Sequence, residues 1–407
     1  MKENRKGDIF MSLVNTPSGN RLHIGIFGKR NSGKSSLLNA ITGQEIALVS
    51  EVKGTTTDPV SKAMEIHPIG PCLLIDTAGF DDTGDLGNMR IEKTKAVLDK
   101  TDVAVVVFSD MQMELETQWI AMLRQRKIPI LAVVNQVDRI EQVQEIKRQI
   151  EQRFSLTPLL VSAKEKTGIS QMKHEILRLM PPDFEAQSLT GSLVQPEDVV
   201  LLVMPQDKQA PKGRLILPQV QTIRDLLDNH CVVMCVTTEQ LSTALQALAK
   251  PPKLIITDSQ AFAQVYPLKP AETLLTSFSI LLAAYKGDLS AFVKGANALD
   301  SLTDDSHVLI AEACTHAPLQ EDIGRVKIPN MLRKKYGEHL QGAPGGGSQF
   351  PKDLSEYQLI IHCGACMFNR KHVLTRVEQA EQQGVPITNY GVVLAKLTGI
   401  LDRISMQ

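Results

Sequence analysis

Short apolar runs and longer amphipathic stretches alternate along the first half of the chain. Residues 21–27, 72–75, 103–108 and 130–134 are runs dominated by Val, Ile, Leu and Phe, and each reads as a buried strand. Residues 159–161 form a shorter one. Helical stretches stand between the runs, starting with Ser36-Leu37-Leu38-Asn39-Ala40. Strand–helix alternation of this kind predicts a parallel, doubly wound sheet. Pro181-Pro182-Asp183-Phe184 ends the last helix and opens a linker.

A smaller α/β pattern follows. Strands are predicted at 199–204, 231–236 and 254–257. A helix is predicted over 218–229, with Val220, Ile223, Leu226 and Leu227 on its apolar face, and another over 241–249. Cys231 and Cys235 read as small core residues of the second strand. So small a core is expected to complete itself against a second copy of the chain. From residue 268 helices are predicted over 274–285 and 289–299, then a strand at 307–311 and a basic helix over 322–336. A glycine-dense flexible loop at 341–348, a strand at 358–361 and covering helices at 373–383 and 390–400 complete the pattern. The predicted fold class is therefore α/β in three domains: residues 1–184 with the doubly wound parallel sheet, a small α/β domain at 185–267, and an α/β domain at 268–407.

The first strand runs directly into Gly28-Lys29-Arg30-Asn31-Ser32-Gly33-Lys34-Ser35, and a helix follows. This GxxxxGKS is in the strand–loop–helix context that makes it a phosphate-binding loop. Its glycines let backbone N–H groups wrap phosphates, and the helix N-terminus adds a favourable dipole. Lys34 is expected on the β- and γ-phosphates and Ser35 on Mg²⁺, with Ser36 in the same turn. Thr55 and Thr56, in Gly54-Thr55-Thr56-Thr57-Asp58, can offer hydroxyl and carbonyl to Mg²⁺ and the γ-phosphate. Asp76 of Asp76-Thr77-Ala78-Gly79 can hold Mg²⁺ through water, and the Gly79 amide can sense the γ-phosphate. In Asn135-Gln136-Val137-Asp138 the carboxylate can accept from guanine N1–H and N2–H, a donor pair that adenine lacks. Ser162-Ala163-Lys164 can meet guanine O6 through its backbone. These signals in order predict a GTP site.

Residues 22–180 resemble the translation-factor-like GTPases of the TrmE/Era group, through GKSSLLN at 33–39 and the DTAG and NxxD motifs. The resemblance implies that Asn31 helps to bind an activating potassium ion. Three departures stand out. Gln136 replaces the usual lysine of NKxD, which weakens stacking over the base. Phe80 follows DTAG where other GTPases place a water-orienting glutamine. Residues 81–88 hold no clear match for the downstream glutamate of the tRNA-modifying members. Hydrolysis is therefore expected to be slow and to rest on Lys34, Mg²⁺, Thr56 and potassium at Asn31.

The tail carries a second chemistry. Cys314-Thr315-His316 and His362-Cys363-Gly364-Ala365-Cys366 gather three of the six cysteines and two of the nine histidines. Thiolates and imidazoles are ligands of soft and borderline metals. Two metals fit: zinc, closed by three thiolates and one imidazole, or an iron–sulfur cubane held at three corners. Both halves follow predicted strands, where open α/β sheets gather their sites.

Composition narrows the partners. A net charge of −1 gives no general attraction to nucleic acid or to a membrane, and 4% aromatic residues leave little stacking surface for single strands. Residues 1–20 have no apolar core of a signal peptide, and 274–285 is too short and too interrupted to span a bilayer. Six cysteines in 407 residues suit a reducing cytoplasm better than a disulfide framework.

A TrmE/Era-like domain, a small α/β middle and a tail with CxH followed by HCxxC resemble, over the whole chain, the family of FeFe-hydrogenase maturation GTPases. That resemblance implies a homodimer through the middle domain and a 4Fe–4S cluster on Cys314, Cys363 and Cys366. His316 and His362 are then either a fourth ligand or donors behind the ligands. It implies a scaffold for a transient di-iron subcluster, with two radical-SAM maturases and apo-hydrogenase as partners. The alternatives are a GTPase acting on RNA or the ribosome with a structural zinc tail, and a GTP-gated redox module.

Overall fold

All seven residues of β1 (Leu22–Gly28) are buried, and this strand is the spine of the first sheet. The computed structural model describes residues 16–43, 60–77, 96–182, 184, 188–205, 215–312, 323–345 and 350–406. It divides into two units, Met1–Glu185 and Ala186–Gln407.

In the first unit β2 (Val60–Ile66), β3 (Gly70–Asp76), β4 (Val103–Phe108), β5 (Ile130–Val134) and β6 (Leu159–Leu160) join β1 in the order β2-β3-β1-β4-β5-β6. All neighbours run parallel except β2, which is antiparallel to β3. This is the doubly wound sheet the sequence predicts, with an antiparallel edge strand added. β2 was not expected, because only Met64 and Ile66 are firmly buried among its polar neighbours. The strand faces pack separate cores. Leu22, Ile24 and Ile26 meet Leu37, Leu38 and Ile41 of the helix Lys34–Thr42 on one side. Phe27, Ala104 and Val106 meet Trp119, Ile120 and Leu123 of the helix Glu114–Gln125 on the other. Each fully buried Leu or Ile stabilises this sandwich by roughly 1.5–3 kcal/mol.

The second unit holds two four-stranded sheets among the described residues. β7 (Val199–Val203), β8 (Val232–Val236), β9 (Leu254–Thr257) and β10 (Leu274–Ser277) lie in the order β10-β9-β7-β8. β11 (His307–Ala311), β12 (Gln341–Gly345), β13 (Leu359–His362) and β14 (Ile387–Asn389) lie in the order β12-β11-β13-β14. Every neighbouring pair is parallel. One core runs through both sheets, from Leu201 and Ile255 past Ile280 and Phe292 to Leu309 and Ile360.

Four sequence expectations change here. Residues 274–277 are strand, and the helix begins at Phe278 because the Ser277 hydroxyl accepts from the Ile280 amide and stops it extending backward. β10 pairs with β9, so the boundary expected at 267/268 falls inside the second sheet's territory. Residues 341–345 are not a loop but an edge strand on β11, a place where Pro344 removes no needed donor. Cys235 is exposed rather than core, whereas Cys231 is buried. No helix among the described residues is long and apolar enough to cross a membrane.

Candidate functional sites: a nucleotide loop and a cysteine turn

The phosphate loop leaves β1 at Gly28 and enters the helix Lys34–Thr42 through Gly33, whose φ of 83° lies in the left-handed region. A Cβ on Gly33 would stand 2.4 Å from the Asn135 side-chain nitrogen, so both conformation and space demand glycine. Lys34 is buried, and its ammonium donates to the Gly28 carbonyl and to that of Lys29 at 2.7 Å. It therefore lies along the inside of the loop that wraps the phosphates. Ser35 and Ser36 are exposed in the first turn of the helix. Asp76, buried at the end of β3, is in register with Ile26 just before the loop. Thr77 locks this approach by donating its hydroxyl to the Ile26 carbonyl at 2.6 Å. Ser35, Lys34 and Asp76 thus come to one end of the sheet, as the motif requires. Thr55, Thr56 and Gly79 lie outside the described residues, as do Phe80 and the stretch after it.

The residues expected to recognise the base gather at the ends of β5 and β6. Asn135, fully buried, donates to the Ser32 and Gly33 carbonyls at 3.0 and 3.3 Å and accepts from the Ala163 amide at 3.2 Å. One side chain therefore fastens the phosphate loop to the loop of Ser162, Ala163 and Lys164. The Ser162 hydroxyl donates to Asp138 at 2.6 Å, and this bond holds the exposed Asp138 carboxyl below its ordinary range. Asp138 is thus an exposed acceptor. Lys164 is exposed beside it.

Gln136 does what the sequence did not reveal. Its amide donates to the Asn31 carbonyl at 2.9 Å, with both residues in the left-handed region. The neutral amide keeps the tether between the two loops but brings no charge to the base. Gln136→Lys is therefore expected to tighten guanine nucleotide binding by roughly 0.5–1 kcal/mol, about two- to five-fold, through an ammonium set near the ring face. A fluorescent nucleotide titration of both proteins checks it; equal affinities would contradict this account of Gln136.

Lys29, the second loop residue, donates to Asp110 at 2.8 Å and to the Gln112 carbonyl, and lies 3.9 Å from Glu116. Burial pushes the Glu116 carboxyl up to about 7.

In the second unit, β13 delivers the cysteine turn. Ala311, the last residue of β11, is in register with His362, the last of β13. The Cys363 amide donates to the Ala311 carbonyl at 2.9 Å. The Cys363 carbonyl accepts from His362 Nδ1 at 2.8 Å and from the Asn389 side chain at 3.3 Å. Cys363 is therefore fixed at both backbone groups to three strands of the sheet. A carbonyl can only accept, so Nδ1 carries the proton. His362 Nε2 then accepts from Arg376 at 2.9 Å. His362 is 1% exposed with both ring nitrogens engaged. In this arrangement it orients Cys363 and presents no lone pair to a metal.

Cys363 and Cys366 are partly exposed reduced thiols. Between them Ala365 is buried in the left-handed region at a φ of 48°, a conformation that costs a non-glycine residue roughly 1–2 kcal/mol. The turn is held by Lys286 at the end of the helix Phe278–Lys286. Its ammonium, in a residue 1% exposed, donates to the carbonyls of Ala365, Cys366 and Phe368 at 3.4, 3.0 and 2.8 Å. Arg370 adds a second clasp by donating to the carbonyls of Ala284, Tyr285 and Gly287 at 3.3, 2.9 and 2.9 Å. Arg376 lies 5.0 and 4.9 Å over the Phe350 and Phe368 rings. Two partly exposed thiols three residues apart, on a braced turn and backed by cations, suit a thiolate-bound metal or cluster. Cys314 and His316 lie outside the described residues, and among the described residues no three His, Cys, Asp or Glu side chains converge as a metal group. Lys286, Arg370, Arg376 and Asn389 were missed in the sequence reading. Lys286 alone leaves a trace there, as a lone charge closing an apolar helix.

The chain is similar to known proteins in three blocks. Residues 23–136 match the family model of the 50S ribosome-binding GTPase. Residues 189–287 match the hydrogen maturase F dimerization domain and residues 290–406 the hydrogen maturase F tetramerization domain. Curated relatives match the first unit. GTPase Der of Wolinella succinogenes is 33% identical over 172 residues, 39% of this chain and 36% of that protein. The tRNA modification GTPase MnmE of Bordetella petrii is 38% identical over 162 residues, 39% of this chain and 33% of that protein. The chain thus spans about a third of the length of these relatives. Among solved structures, Aquifex aeolicus Era bound to GDP and an aluminium fluoride is 19% identical, covering 53% of this chain and 92% of that one with a TM-score of 0.34.

Proposed function

Because the chain belongs to the hydrogen maturase F family, we propose that it is a GTP-hydrolysing scaffold for the di-iron subcluster of FeFe-hydrogenase. It carries that unit on a 4Fe–4S cluster held by Cys314, Cys363 and Cys366 and passes it to apo-hydrogenase in the cytoplasm. The observation that carries this reading is the cysteine turn. Cys363 is pinned to the end of β11, the strand that ends at Ala311, shortly before Cys314 in the sequence, and Cys366 sits on a turn braced by Lys286. Three thiolates hold three corners of a cubane, so a cluster bound here supplies one iron with an exchangeable position. The di-iron unit, delivered with the help of two radical-SAM maturases, is the cargo. His362 keeps Cys363 in place by its proton on Nδ1, and Arg376 holds that tautomer. The experiment is activation of apo-hydrogenase by the full chain loaded with a synthetic di-iron precursor, compared with precursor alone; no gain over precursor alone would overturn the carrier role.

In the first unit Lys34 brings its charge to the β- and γ-phosphates, Ser35, Thr56 and Asp76 hold Mg²⁺, and the Asp138 carboxylate selects guanine. Asn31 binds potassium, which supplies positive charge where the sequence has Phe80 in place of a glutamine. Hydrolysis is expected to run faster in potassium than in sodium at equal ionic strength. Phosphate release measured in the two salts checks it, and equal rates would remove the potassium site.

Self-association follows the apolar surface next to β8. Val232 is 57% exposed on this edge strand, and Leu227 and Val220 of the helix Leu217–Asp228 are 55% and 48% exposed. Two of the four positions expected on that helix's buried face therefore look outward. An open strand edge beside exposed Leu and Val is the surface a second copy covers in a homodimer.

One observation favours a second reading, an RNA- or ribosome-directed GTPase with a zinc tail: the match of residues 23–136 to a ribosome-binding GTPase model. Zinc in place of iron in the purified protein would support it.

A further inference from the structure

The thiols of the cysteine turn are backed by two buried cations that come from different helices. Lys286 closes the helix Phe278–Lys286, and Arg376 lies within the helix Arg370–Gln382. Both are nearly inaccessible, at 1% and 3% exposure. The ammonium of Lys286 sits 3.0 Å from the Cys366 carbonyl and 3.4 Å from that of Ala365. The guanidinium of Arg376 sits 2.9 Å from His362 Nε2, one residue from Cys363. Burying a cation is costly, since its hydration is lost. A buried cation is stabilised by negative charge near it, and thiolates bound to a metal on this turn would supply such charge.

We propose that Lys286, supported by Arg376, is a positioning and electrostatic residue that sets the reduction potential of the cluster carried on this turn. The inference rests on the reading of Cys363 and Cys366 as cluster ligands. A cubane in its 2+ state with three thiolates carries one net negative charge, and accepting one electron from a donor such as dithionite makes it two. A fixed positive charge bonded to the backbone of the turn that carries the thiolates favours the more negative state. Both cations are buried, so water screens their charge less than it would at the surface. Lys286 therefore raises the midpoint potential, and its neutral replacement lowers it. The strained left-handed Ala365 explains why the same ammonium also braces the turn: its carbonyl is one of the three that Lys286 holds.

The experiment is a mediated redox titration of the anaerobically reconstituted full chain, followed by EPR, on wild type, Lys286→Met, Lys286→Arg and Arg376→Met. Iron and sulfide per chain are measured on the same samples. Met keeps the length and apolar stem of Lys without its charge, and Arg keeps the charge. The expected result is a midpoint shifted to more negative potential in Lys286→Met and, by less, in Arg376→Met, with Lys286→Arg at the wild-type value. A purely structural role would lower iron content and leave the midpoint of the remaining clusters where it was; that result overturns the proposal. If Lys286→Met fails to hold iron, the other two variants decide. A wild-type midpoint in Arg376→Met, or a lowered one in Lys286→Arg, overturns it, and the opposite pair supports it. Wild type that binds zinc and no iron would instead remove the cluster reading itself, which separates the two failures.

Discussion

Lys34→Ala is expected to lower GTP turnover by roughly 10²–10³-fold or more, while the metal content of the second unit stays at the wild-type level. Removing one preorganised donor from a developing oxyanion typically costs that much. Lys34 is more than one such donor, because its ammonium lies along the inside of the phosphate loop with the Gly28 and Lys29 carbonyls. Alanine leaves the helix Lys34–Thr42 intact, since it is the best helix former and Leu37, Leu38 and Ile41 still fill the core. The unaffected metal follows from the division into two units, each with its own core. Phosphate release and iron content measured on one preparation check both halves. Turnover near wild type would remove the role given to Lys34, and loss of iron would contradict the independence of the units.

Cys363→Ala and Cys366→Ala are each expected to lose nearly all cluster iron and all activation of apo-hydrogenase, and Cys314→Ala to do the same. A cubane on three thiolates has no spare strong ligand. The backbone around Cys363 stays fastened in its variant, because its bonds to Ala311, His362 and Asn389 use main-chain atoms. Loss of iron would therefore report the missing sulfur and not an unfolded turn. His362→Ala is expected to be milder. It removes the donor that orients Cys363 and leaves Arg376 without its imidazole acceptor, so iron content falls in part and the EPR signal changes. Iron analysis and hydrogenase activation on the same samples check the series. A cysteine variant with a full cluster would contradict the ligand assignment.

The central strands were legible because their apolar runs are nearly unbroken and bounded by polar, glycine or proline residues, and the motifs at Gly28, Asp76 and Asn135 because each sits where a strand ends. What stayed hidden has physical reasons. β2 is half polar, so its period-two pattern does not stand out from a loop. The continuous apolar run at 274–285 contains no break between strand and helix; only the capping hydroxyl of Ser277 marks one. β12 carries two glycines and a proline, residues that argue for a loop unless the strand lies on an edge. The cysteine motif was plain, but its support was not. Lys286 reaches the turn from 80 residues before Cys366 and Arg376 from the helix that follows it, and nothing in their local sequence announces where their side chains go. His362 illustrates the same limit: the sequence leaves it as either a fourth ligand or a donor behind the ligands, and only its two hydrogen bonds favour the second.

Anaerobic reconstitution of the full chain with iron and sulfide, followed by iron, sulfide and zinc analysis and EPR of the dithionite-reduced protein, tests the central claim most directly. The account predicts about four irons and four sulfides per chain, little zinc, and the signal of a reduced cubane. Stoichiometric zinc with no iron bound would contradict it.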